Sequence, residues 1–264
     1  MPLTPFSIAI SRQNGGYKSI VLNSSERKEE ELELSILQNI YLGKVASIEA
    51  DSDFAVVDLD SNLKGNLPMK NVGYAYTRIH PQRKPPFRRD ISSLLWPEQE
   101  LIVQVNSLNP IMLTTDLTLP GHFLVFTPYS SKLHISKKIE SQEERDRLMN
   151  LVKMLDIPPA FGFIVRTDSV GASFEDLHRD YLFLERTWLN LVRCLNTVQS
   201  PSLLSTIHPI EHFIVEHMNS DCTAIWVDRE EDFAKAKSFL NEYRPEKTSV
   251  LKLHQDSTPL LSKF

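Results

Sequence analysis

Apolar and polar positions alternate with a period of two in Phe6-Ser-Ile-Ala-Ile10 and, less strictly, in Tyr17-Lys-Ser-Ile-Val-Leu22. With Asn14-Gly15-Gly16 between them, the two runs predict a hairpin, because Asn-Gly supplies the positive φ that tight hairpin turns need. The charged run from Ser25 to Glu31 then predicts a solvated face or loop before a third apolar stretch, Leu32 to Leu37. From Asn39 to Thr115 the apolar runs are short: Ile40 to Val45, Phe54 to Leu59, Gly65 to Pro68 and Leu101 to Val105. Strands of that length divided by turn-rich pieces predict a small barrel of the OB type. The piece from Gly73 to Trp96 is long for a hairpin connection, which marks it as a functional candidate.

After residue 116 the periodicity mixes. Phe123-Leu-Val-Phe126 and Phe163-Ile-Val165 are continuous apolar runs of buried-strand type, whereas Leu148, Leu151, Val152 and Leu155 recur at helical spacing within Glu143 to Leu155. Ser173 is placed to cap a helix from Phe174 to Leu195, whose apolar stripe is Leu177, Tyr181, Leu184, Trp188, Leu191 and Leu195. Gln199-Ser-Pro-Ser202 carries a linker signal. The tail predicts a helix near His208 to Asn219, a strand Ala224 to Val227, a helix Glu230 to Tyr243 and a strand Ser249 to Leu253. These elements have the right type to complete the sheet begun by residues 6–35.

Composition changes little in this picture. At 264 residues, 41% hydrophobic and 24% charged, the chain can bury several small cores. Its net charge of -5 offers no global field for nucleic acid, so any such binding rests on local patches. Cys194 and Cys222 have no CxxC or Cys/His metal spacing and predict reduced, structural thiols. No run approaches transmembrane length and the start is not of signal type, so the expectation is a cytosolic or organelle-interior protein without membrane contact.

Candidate metal chemistry is sparse. Asp51, Asp53, Asp58 and Asp60 fall on barrel strands and turns without a partner pattern, and His208 with His212, near Glu211 and Glu216, reads HPIEH rather than HExxH. Two surface histidines on a helix are expected there.

Five strings in order carry a family resemblance: Gln38-Asn-Ile-Tyr-Leu-Gly-Lys-Val45; Val57-Asp58 with Lys64-Gly-Asn-Leu-Pro68; Leu113-Thr-Thr-Asp-Leu-Thr-Leu-Pro-Gly-His-Phe-Leu-Val125; Ile135-Ser-Lys-Lys-Ile-Glu140 with Gly162-Phe-Ile-Val-Arg-Thr167; and Ile225-Trp-Val-Asp228 with Pro259-Leu-Leu-Ser-Lys-Phe264. Together they resemble the N-terminal half of the ribonuclease E/G family. The resemblance implies an α+β multi-module fold, with an S1-type OB barrel and a mixed α/β 5′-sensor inserted in a discontinuous ribonuclease-H-like α/β domain. The implied boundaries are 1–38 and 207–264 for the ribonuclease-H-like parts, 39–115 for the barrel and 116–206 for the sensor.

In that family the sensor grips RNA 5′-monophosphate, and the implied residues here are Arg166, Thr167 and the apolar Val125. A guanidinium fork with a neighbouring hydroxyl suits a terminal phosphate. The alternative for Arg166 is a surface pair with Asp168 or Glu175. Lys137 and Lys138 stand where the family has two arginines facing the RNA backbone, and Lys44 is a further backbone candidate. The barrel departs from the pattern: Val56 and Asn66 replace stacking phenylalanines, Leu42 and Asn109 replace basic residues, and Asp60 adds negative charge. Arg78, Arg83, Lys84, Arg88 and Arg89, interleaved with Tyr74, Tyr76 and Phe87, are possible loop contacts that offset this loss.

The family's magnesium-binding aspartates and asparagine and its zinc-link cysteines have no counterpart before Phe264, so no catalytic residue and no cofactor is expected. The expected function is a non-catalytic, pseudoenzyme-like RNA-binding protein. It would take single-stranded RNA with weak to moderate affinity, alone or beside a full-length ribonuclease. The alternatives are a truncated or split endoribonuclease subunit needing a separate catalytic chain, or a protein-interaction scaffold with decayed RNA sites.

Overall fold

The computed structural model describes residues 5–13, 16–23, 27–33, 36–73, 90–205, 208–218 and 222–263. The chain divides into two compact units, Met1–Ser35 with Ile207–Phe264, and Ile36–Thr206.

The first unit is a five-stranded sheet in the order β15-β14-β1-β2-β3. The predicted hairpin is β1 (Phe6–Gln13) and β2 (Gly16–Asn23), antiparallel from Phe6↔Asn23 to Gln13↔Gly16. β14 (Cys222–Val227) runs parallel to β1, and β15 (Leu251–Leu253) runs parallel to β14, so the tail does complete the sheet begun at the N-terminus. Helices α4 (Pro209–His217) and α5 (Glu230–Tyr243) pack against it. Ile8, Ile20, Phe213, Ile214, Ile225, Val227, Ala236 and Leu240 are fully buried there.

The charged run is a strand rather than a loop. β3 (Arg27–Glu33) pairs with β2 along seven residues and forms the edge of the sheet. An edge strand needs only one neighbour, and charge on it discourages pairing with another chain. Lys18 and Arg27 hold Glu29 at 2.8 and 2.7 Å.

The second unit contains a barrel made of β4 (Ile40–Glu49), β5 (Phe54–Asp58), β6 (Lys64–Pro68), β8 (Ile111–Thr114) and β7 (Glu100–Leu108), closed by pairing of β7 with β4. β4 pairs with both β5 and β7 and passes close to β5 at Gly43, where a Cβ would stand 2.5 Å from Val57 Cγ1. Val45, Val57, Leu67, Val103 and Leu113 fill the interior, with the short helix α1 (Ile91–Leu94) adding Ile91. Sequence periodicity does not mark β8, which has four residues directly after Asn109-Pro110. Nor is Gln199–Ser202 simply a linker, because Ser202 begins β13 (Ser202–Ser205), which pairs with β4. Pro201 breaks the pattern just where a strand is free to start.

Beside the barrel stands a four-stranded sheet, β11 (Leu133–Ile135), β12 (Gly162–Val165), β10 (Leu124–Thr127) and β9 (Leu119–Pro120), in that order. Helices α2 (Gln142–Lys153) and α3 (Phe174–Leu195) complete this layer. Ser173 caps α3 in a reciprocal capping box with Asp176, and Leu177, Tyr181, Leu184, Trp188 and Leu191 are buried as the stripe predicts. Ile40 and Ile102 turn out of the barrel wall into this same core. Gln104, 2% exposed, joins the two layers by exchanging 2.9 Å hydrogen bonds with the Thr118 backbone.

His208 is not on a helix face. It caps α4, its Nδ1 accepting from Ile210 N at 3.3 Å, with the ring edge-on to Tyr17 at 5.4 Å. Burial first, then the positive charges of Lys235 and Arg12, push its pKa down from 6.5 to about 4. A histidine with a depressed folded pKa is protonated first in the unfolded chain, so its contribution is intact above pH 6.5 and is lost as pH falls toward 4. Buried Asp232 and half-buried Glu211 are shifted upward by burial and slope the other way, so the histidine is read by comparison with a variant that keeps both acids. In urea titrations across that window the native protein should lose stability with acid relative to His208→Gln. Parallel curves for the two proteins would refute the assignment.

Candidate functional site

Three turns meet at one end of the four-stranded sheet. β10 and β12 are antiparallel with Leu124 opposite Val165, so the turn before β10, Gly121 to Phe123, meets the segment after β12, Arg166 to Val170. β11 runs parallel to β12 with Ile135 beside Val165, which brings Ser136 to Lys138 to the same end. Arg166, Thr167, Lys137 and Lys138 are therefore gathered at one end of the sheet. Val125 lies one strand across, half-buried and paired with Ile164.

The turn before β10 is fixed from below. Asp180 on α3, 1% exposed, accepts the backbone N–H groups of His122 (3.1 Å), Phe123 (2.9 Å) and Leu124 (2.8 Å). A Cβ on Gly121 would meet Asp180 Oδ2 at 2.5 Å, so the residue at this position must lack one. The turn in turn fixes the next segment: Phe123 O accepts from Arg166 N at 2.8 Å and from Ser169 Oγ at 2.7 Å.

Arg166 lies across the sheet end. Nη1 donates to Gly121 O at 2.8 Å, and Nη2 stands 3.5 Å from Asp168 Oδ2. The surface pair weighed for Arg166 is thus present with Asp168. It is a long contact to a half-exposed carboxylate, of the kind that contributes little to stability. Thr167 Oγ1 is exposed and 3.2 Å from Ser136 Oγ, which places two hydroxyls beside the guanidinium.

Helix α2 holds the other two turns in place. Arg145 Nη1 donates to Ser136 O at 2.8 Å and Ile139 O at 3.2 Å, shaping the turn from which exposed Lys137 and Lys138 project. Glu144 accepts from Gly171 N at 2.8 Å, and Arg147 donates to Ala172 O at 2.9 Å. The Arg147 guanidinium holds the Glu144 carboxyl below its ordinary value, so this tie is ionic at neutral pH. Asp180, Arg145, Glu144, Arg147 and Ser136 were not among the residues singled out from sequence. Only Asp180 left a trace there, as a lone carboxylate inside an apolar helical stripe.

The barrel face has a different character. Val56 and Asn66 sit side by side on adjacent strands, half-buried, with Met112 next to Asn66. Leu42 is 9% exposed and its backbone neighbour on β13 is Ser202, so little of its side chain is presented to solvent. Asn109 and Asp60 are exposed, and Asp60 Oδ1 is occupied by the N–H groups of Asn62 and Leu63. Lys44 forms a 2.5 Å ion pair with Glu98, and Glu98, Glu100 and Asp58 all raise its pKa. Lys44 thus stands among acidic neighbours rather than alone on the barrel face. Arg78, Arg83, Lys84, Arg88 and Arg89 lie outside the described residues.

The barrel carboxylates do not fit a metal. Asp58 pairs with Lys64 at 3.0 Å and Asp60 is spent on its turn. Among the described residues, no group of three or more His, Cys, Asp or Glu side chains is arranged to hold an ion. Cys194 is exposed and Cys222 buried, both as free thiols, and no described helix is long and apolar enough to cross a membrane.

The Asp180 clamp makes a stability prediction. Asp180→Ala leaves three buried donors without their carboxylate, at about 1–3 kcal/mol each, so a loss of about 3 kcal/mol or more is expected in urea denaturation followed by tryptophan fluorescence. Asp180→Asn keeps an acceptor oxygen and should cost less. A loss under about 1 kcal/mol for the alanine variant would contradict the clamp.

Comparison with known proteins is consistent along the chain. The ribonuclease E/G family model matches residues 118–264, which include all three turns. Ribonuclease E of Haemophilus influenzae is 32% identical over 235 residues, covering 86% of this chain and 24% of that protein. Ribonuclease G of Escherichia coli (strain K12) is 29% identical over 243 residues, covering 89% of this chain and 49% of that protein. Ribonuclease E of Nostoc sp. is 27% identical over 234 residues, covering 86% and 33% respectively. The chain thus spans between about a quarter and a half of the length of these relatives. With the family model matching more than half of its residues, and with the barrel and sheet architecture that the shared strings imply, the chain belongs to the ribonuclease E/G family.

Proposed function

We propose that this chain is an RNA-binding protein that recognises RNA 5′-monophosphate at the sheet end where Arg166, Thr167 and Ser136 meet. The observation that carries the reading is the buried Asp180 clamp, which fixes the turn whose carbonyls orient Arg166. The guanidinium is oriented by Gly121 O and carries the fork geometry that suits a terminal phosphate, and the two hydroxyls add short-range partners. Lys137 and Lys138, exposed on the neighbouring turn, supply non-specific attraction to the next phosphates. In this reading residues 116–206 act as the 5′-sensor, residues 39–115 as an S1-type barrel of reduced RNA grip, and the ribonuclease-H-like parts as their support. The chain then binds RNA without cleaving it, and cutting belongs to a full-length ribonuclease or a separate catalytic chain.

A second reading, a subunit of a split endoribonuclease, is favoured by the ribonuclease names of its relatives. Magnesium-dependent cleavage that requires both this chain and a catalytic partner would support it.

The test is a titration of 5′-monophosphorylated against 5′-hydroxyl oligonucleotides of one sequence. The monophosphate should bind better, and Arg166→Ala should remove roughly tenfold of that preference, since a charge-assisted bond of this kind contributes about 1.5–3 kcal/mol. Asp168→Asn should strengthen phosphate binding by removing a carboxylate that competes with the phosphate for the guanidinium. Affinity should fall linearly on logarithmic axes as salt rises. Equal binding of the two oligonucleotides, or a preference that survives Arg166→Ala, would rule the reading out.

A further inference from the structure

The outward face of the four-stranded sheet carries a row that runs from Val125 to a residue the phosphate cluster does not include, His134. Leu119, Phe126, Phe163 and Ile135 point into the core, so their alternates Pro120, Val125, Ile164 and His134 face outward. The register places them in line across four strands: His134 beside Ile164, Ile164 opposite Val125, Val125 opposite Pro120. Val125, Ile164 and Pro120 are half-buried and His134 is exposed. Among the described residues no hydrogen bond or ring contact engages the His134 side chain, although imidazole has a donor and an acceptor to offer.

We propose that His134 is a specificity-determining residue that favours a purine at the RNA 5′ end, its imidazole meeting the edge of a base laid along this row. The inference rests on the phosphate reading for its position and goes beyond it in naming which terminal nucleotide is preferred. Ile164 precedes Arg166 by two residues along an extended segment, about 6.6 Å, which suits the offset between a nucleotide's phosphate and its own base. Across the strands, His134 and Val125 stand two spacings apart, about 10 Å. A bicyclic base resting on Val125 and Ile164 reaches the imidazole with its edge. A single pyrimidine ring covers the aliphatic floor and falls short of the hydrogen bond. Because His134 lies on the exposed edge strand β11, away from the core, its replacement leaves the fold intact.

The experiment compares short RNAs that differ only in the first nucleotide, each with a 5′-monophosphate and a 5′-hydroxyl end, on the native chain, His134→Ala and Arg166→Ala. The expected result is about fivefold tighter binding of adenosine- and guanosine-initiated RNA, as one additional base-edge contact supplies. In His134→Ala that difference collapses while the preference for monophosphate persists, whereas Arg166→Ala shows the reverse. Equal binding of all four first nucleotides by the native chain, or a purine preference unchanged in His134→Ala, overturns the proposal. If the phosphate preference itself is absent, the 5′-hydroxyl series decides: a purine preference lost in His134→Ala sustains the proposal, and none overturns it.

Discussion

A carboxylate in the interior has to be surrounded by donors, and here one such group organises the candidate site. Asp180 is carried into the core by α3, whose neighbouring Leu177, Tyr181, Leu184 and Trp188 supply the apolar burial. The backbone of His122, Phe123 and Leu124 satisfies it with three N–H groups. Those donors can converge on one carboxylate only if the turn approaches α3 closely, which is why a side chain at position 121 would collide with Asp180. The turn then spends its carbonyls on Arg166 and Ser169. Helix, carboxylate, turn and guanidinium form one dependent series, and the surface chemistry at its end is only as well positioned as the buried bond at its start.

Much of the architecture was legible because the local rules and the tertiary structure agree. The Asn-Gly hairpin, the Ser173 cap and the stripe of α3 each express one dominant physical cause, and each appears where the pattern places it. The strands that alternation does not mark share another cause. β3 is polar because it is an edge, so alternation has no buried face to report. β13 and β8 are four residues long and follow prolines, and their strand state comes from pairing with β4 and β7 rather than from their own composition. The site shows the same division. Arg166 and Thr167 could be named from a short string, whereas Asp180 and Arg145 could not, because their roles consist of bonds to backbone atoms distant in sequence.

Electrostatics separates the two parts of the larger unit. With a net charge of -5, phosphate attraction depends on which cations are left uncommitted by nearby acids. Lys44 lies among Glu98, Glu100 and Asp58, and Lys64 is paired with Asp58, so the barrel's lysines at that edge are locally neutralised. Lys137 and Lys138 project from a turn whose shape is imposed by Arg145 through carbonyl contacts, which leaves their charge facing solvent. The largely buried Leu42 and the aliphatic and amide pair Val56 and Asn66 complete the contrast, since none of them offers an aromatic face on which a base could stack.

The pairing of Arg166 with Asp168 fits the proposed phosphate role better than an unopposed guanidinium would. A half-exposed carboxylate at 3.5 Å is a weak partner, easily exchanged, yet it lowers the attraction of the site for internal phosphodiesters, which carry a single negative charge. A terminal phosphate carries more charge and presents more acceptor oxygens, so it gains more from displacing or sharing that partner. Under the proposed function, Asp168 therefore contributes selectivity by raising the threshold an anion must exceed, while Asp180, beneath the adjoining turn, contributes the rigidity that makes the threshold the same each time. One acidic residue acts by being exchangeable and the other by being fully satisfied.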